Sequence, residues 1–307
     1  MFVWDIDPNV FHLPDFIPGL GGRGIRYYGL LYATMLMGGF YIWQWQMVRG
    51  GHTREQAEKF LTLGVVAIIG GARLGHCLFY EPERYLSDPI RILYFWEGGL
   101  ASHGSTIALI LALFWFARSE KMPAREILDR FSISTALGAS LVRLGNFMNS
   151  EIVGRVTDGP FKVKFPRYEF SHGGARRVQC STECGLVPQD VCHEFQGRCL
   201  DMSLVPWRHP SQLYEFFMGM FVLIVLVAID RKYGEKRPLG LMGFTFLFLY
   251  FSGRFAVEFV KEFQSLSADR SLLTMGQYLS IPFIIFGLLG IVYSIQNHKA
   301  ATPEGEA

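Results

Sequence analysis

The sequence predicts an all-α polytopic membrane protein, and three observations carry that prediction. Half of its 307 residues are hydrophobic and only 18% are charged, whereas a soluble domain is nearer a quarter charged. The mean hydropathy is +0.23. The apolar residues fall in runs of about 18–22 with few charges, close to the ~20 needed to cross a bilayer. This composition excludes a soluble globular enzyme, a disordered chain and a coiled coil. A formal net charge of +2 is too small to indicate nucleic acid as a partner. Five cysteines are too few for a disulfide scaffold.

The apolar runs place about seven spans, at roughly 27–47, 60–80, 103–117, 131–149, 212–229, 239–257 and 277–295. The third is the weakest, because Ile107 to Phe116 is short unless the stretch from Gly98 to Ser105 also lies at membrane depth. Residues 1–26 lack the basic region and apolar core of a signal peptide. Their Trp4, Phe11 and Phe16, set among Pro, Asp and Gly, suggest a short surface-lying segment. The chain therefore divides into an N-terminal segment (1–26), four spans (27–149), a long loop (150–211), three spans (212–296) and a tail (297–307).

Lys and Arg beside the spans set the orientation. Arg49, Arg54, Lys59, Arg118, Lys121, Arg125, Arg130, Arg231, Lys232, Lys236 and Arg237 occupy one set of short connections. The alternate set holds only Arg23, Arg26, Arg84, Arg91, Lys261 and Arg270. Eleven against six predicts the N-terminus outside and the C-terminus in the cytoplasm. The long loop then faces outward with Cys180, Cys184, Cys192 and Cys199, and an oxidising compartment makes two disulfides the expected state. Zinc, with His172 or His193 nearby, is the rival, but the spacing matches no strong zinc pattern. Cys77 lies mid-span and reads as a small buried hydrophobe.

Polar residues at membrane depth carry the functional signal, since each costs ~2.5–3.5 kcal/mol at a helix centre and needs a partner or a task. Arg73 follows Gly70 and Gly71 in the second span. Arg143, Asn146, Asn149 and Glu151 occupy the outer end of the fourth, and Tyr250, Arg254 and Glu258 form one stripe of the sixth. His103 sits in a run too glycine-rich for a plain helix, where backbone can come close to a ligand. Arginines converging at headgroup depth form an anion site, because the guanidinium fork suits phosphate oxygens. Glu151 and Glu258 are placed to hold those arginines. Each feature also has a structural reading. Arg254 and Glu258 fit an i,i+4 ion pair, Arg143 can snorkel, His103 can be a packed residue, and Gly71 with Gly75 suits close helix approach. A transporter or flippase for an anionic solute or lipid headgroup would use the same arginines, although such sites usually lie near the midplane between repeats.

The run from Arg143 through Gly145, Asn146, Asn149, Glu151 and Gly154 to Arg155 closely resembles the signature of the prolipoprotein diacylglyceryl transferase family. Tyr28-Gly29-Leu30, Gly98-Gly99 with His103-Gly104, and His209-Pro210-Ser211-Gln212-Leu213-Tyr214-Glu215 agree in the same order, as do Tyr250, Arg254 and Glu258. Ser105, Ala101-Ser102 and His76 depart from the family pattern. The four-cysteine loop resembles a lineage-specific insertion.

The resemblance implies an enzyme of the bacterial cytoplasmic (inner) membrane, multi-pass, with its active site towards the extracytoplasmic face. It implies transfer of the diacylglyceryl group of phosphatidylglycerol to the lipobox cysteine thiol of a prolipoprotein signal peptide, releasing glycerol phosphate. That chemistry requires no metal or organic cofactor. It assigns Arg143 and Arg254 to the phosphate. His103 becomes the candidate base for the thiol proton, with Tyr28, a carboxylate or water as alternatives. Tyr28, Asn146, Glu151, Gly154, Tyr250 and Glu258 become substrate-binding positions, with Gly98, Gly99 and Gly104. His209 and Pro210 are expected to fix the start of span five.

Overall fold

A computed structural model of the chain describes residues 2–14, 16, 22, 24–94, 99, 101–174, 192–195, 198–262 and 272–301. In chain order the elements are β1 (Phe2–Val3), β2 (Asn9–His12), β3 (Gly24–Arg26), α1 (Tyr27–Arg49), α2 (Arg54–Phe79), α3 (Pro82–Ser87) and, after a 3₁₀ turn, α4 (Ser102–Ser119). There follow α5 (Ala124–Met148), β4 (Val163–Lys164), α6 (Pro166–Glu169), β5 (Cys192–Phe195), β6 (Arg198–Asp201) and β7 (Trp207–Arg208). The chain closes with α7 (Ser211–Tyr233), α8 (Leu241–Val257) and α9 (Met275–Ala301). Each of the seven apolar runs is helical. The segments Arg54–Phe79, Ser211–Lys236 and Met275–Lys299 are long and apolar enough to cross a membrane, and Leu241–Val257 is apolar but shorter.

The mostly helical chain, consistent with the expected all-α membrane protein, also carries three small sheets. One has the order β1-β4-β7, one pairs β2 with β3, and one pairs β5 with β6. Backbone between helices must find hydrogen-bond partners. These strands are only two to four residues long, too short for an alternating pattern to stand out in sequence.

The chain forms two compact units, one of Met1–Gly39, Thr135–Ala228 and Thr245–Leu289, the other of Phe40–Ser134, Ile229–Phe244 and Gly290–Ala307. In the first, Phe147, Val153, Val163 and Phe165 form a buried cluster with Trp4, Tyr168 and Leu213 packed on it. Trp4 is thus anchored rather than surface-lying, its Nε1 donating to the Phe147 carbonyl at 2.9 Å, while Phe11 and Phe16 remain exposed.

In the second unit, Trp43, Met47, Phe60, Phe116 and Ile127 make the core. The Phe60 ring lies 4.8 Å from Trp43 and 5.2 Å from Phe116, the tilted and edge-on arrangements aromatic pairs prefer. Helix α2 starts with a capping box between Thr53 and Gln56. It lies against α4 so closely that a Cβ on Gly104 would come within 2.1 Å of the Gly71 carbonyl and 2.8 Å of the Gly75 Cα. The glycines of this pair are therefore spent on helix approach. His103 and Gly104 lie in the first turn of α4, while Gly99 before them is non-helical with φ +76°. Cys77 is a free, buried thiol.

Candidate active site

In the first unit the last turns of α5 present Arg143 and Asn146 three residues apart, on one face. The chain then turns sharply, and Ser150 and Ile152 adopt φ of 55° and 56°. Left-handed backbone is costly for a β-branched residue, on the order of 1–3 kcal/mol. The turn is held from α7. Ser211 Oγ donates to the Ile152 carbonyl at 2.9 Å, and Gln212 Nε2 donates to the Glu151 carbonyl at 2.7 Å.

The centre of the site is a carboxylate. Glu215, in the second turn of α7, is 3% exposed. Arg143 Nε lies 2.6 Å from its Oε2, Arg254 Nη1 lies 3.2 Å from its Oε1, and Lys261 Nζ lies 3.3 Å from the same Oε1. Arg143 Nε meets Oε2 without hydrogen-bond alignment, so that attraction is an ion pair. Three cations from α5, the end of α8 and the segment after it thus share one buried anion. Burial pushes the Lys261 ammonium below the ordinary lysine range; Glu215 opposes this, while Arg143 and Arg254 add to it.

Around this centre Arg143 Nη1 donates to Asn146 Oδ1 at 3.5 Å. Asn146 Nδ2 donates in turn to Glu151 Oε2 at 3.4 Å. Tyr250 and Tyr28 both lie close enough to Arg143 to interact with it electrostatically. The Tyr28 ring packs over Gly145, where a Cβ would fall 2.7 Å from its Cδ2. Glu258 lies against Gly276 at the start of α9, its Oε2 buried without a hydrogen-bond partner among the described residues. The expected pairing of Arg254 with Glu258 along one helix stripe is replaced by Arg254 with Glu215. Glu151 reaches Arg143 only through Asn146.

Gly154 and Lys261 are fixed by backbone pairing. Gly154 bridges Lys261, and Val156 bridges Arg208. Gly154 N–H donates to the His209 carbonyl at 2.9 Å, and Arg155 N–H to the Val260 carbonyl at 2.8 Å. A Cβ on Gly154 would meet the His209 and Val260 carbonyls at 2.5 and 2.7 Å, so only glycine fits. Arg208 tightens the same crossing through Glu169 and Glu262, each at 2.6 Å. His209 leads directly into α7 and accompanies its start, Nδ1 standing 3.2 Å from the Tyr214 hydroxyl.

The second unit holds His103, Gly99 and Gly104 of the expected residues. The His103 side chain is exposed. Gly99 has φ +76°, and a Cβ there would meet His76 Cδ2 at 2.4 Å, so it too must be glycine. Buried Arg73 ties down this stretch. It donates to the carbonyls of Ile92, Arg91 and Gly99 at 2.9, 2.7 and 3.4 Å and lies over the Tyr85 ring. Arg73 is accordingly a structural brace. Gly98, Cys180 and Cys184 lie outside the described residues, as do the side chains of Cys192 and Cys199 on the β5–β6 hairpin. Disulfide pairing in that loop therefore also falls outside them. No group of three or more His, Cys, Asp or Glu placed to hold a metal occurs among the described residues.

Two charged residues at the centre, Glu215 and Lys261, were not singled out by sequence reasoning. Glu215 closes the His209–Glu215 run, where its three-residue offset from Gln212 puts both on the α7 face turned inward. Lys261 lies beyond the end of α8, in the segment bridged to Gly154, so no helical spacing marks it.

These elements define an integral membrane protein with a buried cationic cluster at the ends of its helices. The family model described as prolipoprotein diacylglyceryl transferase matches residues 16–293, and the chain belongs to that family. A Tolumonas auensis protein named phosphatidylglycerol–prolipoprotein diacylglyceryl transferase is 35% identical over 300 residues, covering 97% of this chain and 99% of its own. Proteins with the same name from Chloroherpeton thalassium and Proteus mirabilis are 32% and 33% identical, covering 96% and 98% of this chain and 94% and 95% of theirs.

Proposed function

We propose that the chain transfers the diacylglyceryl group of phosphatidylglycerol to the lipobox cysteine of a prolipoprotein signal peptide, forming a thioether and releasing glycerol phosphate. The observation that carries this reading is the convergence of Arg143, Arg254 and Lys261 on Glu215, in a chain of this family. Sulfur attacks the glyceryl carbon, the C–S bond forms, and the C–O bond to phosphate breaks. The phosphodiester departs as a monoester, so one negative charge is added to the phosphate as the bond breaks. A fixed cationic cluster stabilises that gain. Guanidinium forks suit the oxygens, and Glu215 holds them ready before lipid arrives.

In this reading seven helices cross the bacterial cytoplasmic membrane with the N-terminus outside, and the cluster faces the extracytoplasmic leaflet where both substrates are found. Tyr28, Asn146, Glu151, Tyr250 and Glu258 orient the headgroup and the arginines, the tight backbone at Gly154 positions the segment after α5, and that at Gly99 and Gly104 the segment that carries His103. The thiol needs a base, since free cysteine has a pKa of ~8.5, and His103 is assigned that role. His103→Gln then slows transfer and shifts the optimum to alkaline pH; an unchanged pH profile removes histidine from the role. Incubating the purified protein with headgroup-labelled phosphatidylglycerol and a lipobox peptide tests the whole reading. Stoichiometric thioether and glycerol phosphate are expected, and transport of lipid without product would contradict it.

A further inference from the structure

An apolar groove lies in the first unit, away from any residue given a catalytic role. The start of α7 and the strand β4 enclose a groove of about 360 Å³, within the ~300–1,000 Å³ of small-molecule sites. Val163 forms its buried floor, Leu213 and Phe217 one wall, and Phe2 and Phe161 its mouth. Phe2 and Phe161 are 46% and 73% exposed, more apolar surface than a water-facing site would leave open. The one hydroxyl in the lining, that of Tyr214, already donates to the Phe161 carbonyl at 3.3 Å.

The occupant follows from what the groove joins. Phe217, Phe221 and Ile224 are spaced four and three residues apart, hence on one face of α7. All three are more than half exposed, on a segment long and apolar enough to cross the membrane. That face meets acyl chains, and Phe217 belongs to both it and the groove, so the groove opens onto hydrocarbon. Its rim carries one cation, Lys162, which lies over the Trp207 ring at 5.5 Å and donates to the Asp158 carbonyl at 3.4 Å. Among the described residues Lys162 has no carboxylate partner. A lysine at the boundary between an apolar groove and water reaches for lipid phosphate.

We propose that this groove holds one acyl chain of an anionic glycerophospholipid from the surrounding leaflet, with the lipid phosphate at Lys162. The bound lipid anchors the β1-β4-β7 sheet to the bilayer surface and is not consumed.

The full chain is placed in vesicles of mixed phosphatidylglycerol and phosphatidylcholine, doped with either lipid bearing a photoactivatable group on an acyl chain. Adducts are then mapped by mass spectrometry. Adducts are expected on Phe161, Leu213 and Phe217, favouring phosphatidylglycerol by about fivefold, the size of one lysine–anionic lipid interaction. Lys162→Ser should abolish that preference while labelling at Phe221 and Ile224 is unchanged, and Leu213→Trp should block the groove. Adducts confined to Phe221 and Ile224 would overturn the proposal. So would groove adducts equal for both lipids and indifferent to Lys162→Ser. No prolipoprotein takes part in the labelling itself, so the result is separate from that of the transfer assay.

Discussion

Two buried ionic clusters, one in each unit, use the same residue types in opposite proportions. In the second unit Arg49, Arg130 and Arg237 face four carboxylates. Arg49 pairs with Asp230 and Glu235, Arg130 with Glu126 and Glu235, and Arg237 with Asp129, Asp230 and Glu235. The remaining capacity is filled from the backbone, Arg130 donating to the Gln46 carbonyl at 2.6 Å and Asp129 accepting from Gly240 N–H at 2.7 Å. In the first unit three cations share Glu215, the one carboxylate in ion-pair reach of them among the described residues, with Glu258 acting on Lys261 from further off. A cluster in which every cation has its own carboxylate partners is complete, and its energetic role is to join chain segments. A cluster with surplus cations around one carboxylate is incomplete until an anion joins it. The difference distinguishes a clasp from a binding site without reference to any relative.

Four substitutions break or sharpen that contrast. Arg130→Ala removes the buried guanidinium that joins half-buried Glu126, Glu235 and the Gln46 carbonyl. Losing one buried member of such a hydrogen-bonded network costs about 1–3 kcal/mol, read as a fall in unfolding temperature in detergent, while the protein that remains folded keeps its transfer rate. Glu215→Gln also costs stability, because three cations lose their shared anion, but here transfer falls with it. The arginines lose their anchor, and misplacement by about 1 Å lowers transfer by up to about 10²-fold. Unchanged transfer by the folded Glu215→Gln protein would erase the distinction.

Gly104→Val pushes a side chain into the Gly71 carbonyl. Such overpacking typically costs about 1–3 kcal/mol, and an unaltered unfolding temperature would show that α2 and α4 separate freely. The smallest effect belongs to Lys261→Arg. The lysine is held below its ordinary range by burial, so its charge is lost as pH rises through that lowered value. Arginine stays charged, with a pKa above ~12. The alkaline fall in transfer should therefore move to higher pH in the variant, and superimposable profiles would place Lys261 outside the phosphate site.

The sequence made some of this legible and concealed the rest for physical reasons. Helices reveal themselves because about twenty apolar residues are hard to explain otherwise, and all seven runs are helical. Arg143 and Arg254 stood out because charge at membrane depth is expensive. Which carboxylate they meet did not, since the i,i+4 rule describes one helix and Glu215 comes from another. Lys261 was counted only towards orientation, because its burial depends on the backbone bridge to Gly154. The glycines near Gly71 and Gly104 read equally well as ligand backbone or as helix contact, and only the distance between α2 and α4 separates the two. The small sheets left no readable pattern.

The most direct measurement of the central claim is the rate of glycerol phosphate release by Arg143→Lys and Arg254→Lys, each checked for normal membrane insertion and unfolding temperature. Lysine keeps the charge but loses the planar fork. If the two guanidiniums hold the departing phosphate, release falls by about 10²–10³-fold, the usual cost of removing one transition-state donor. Near-native release in both variants would contradict the account.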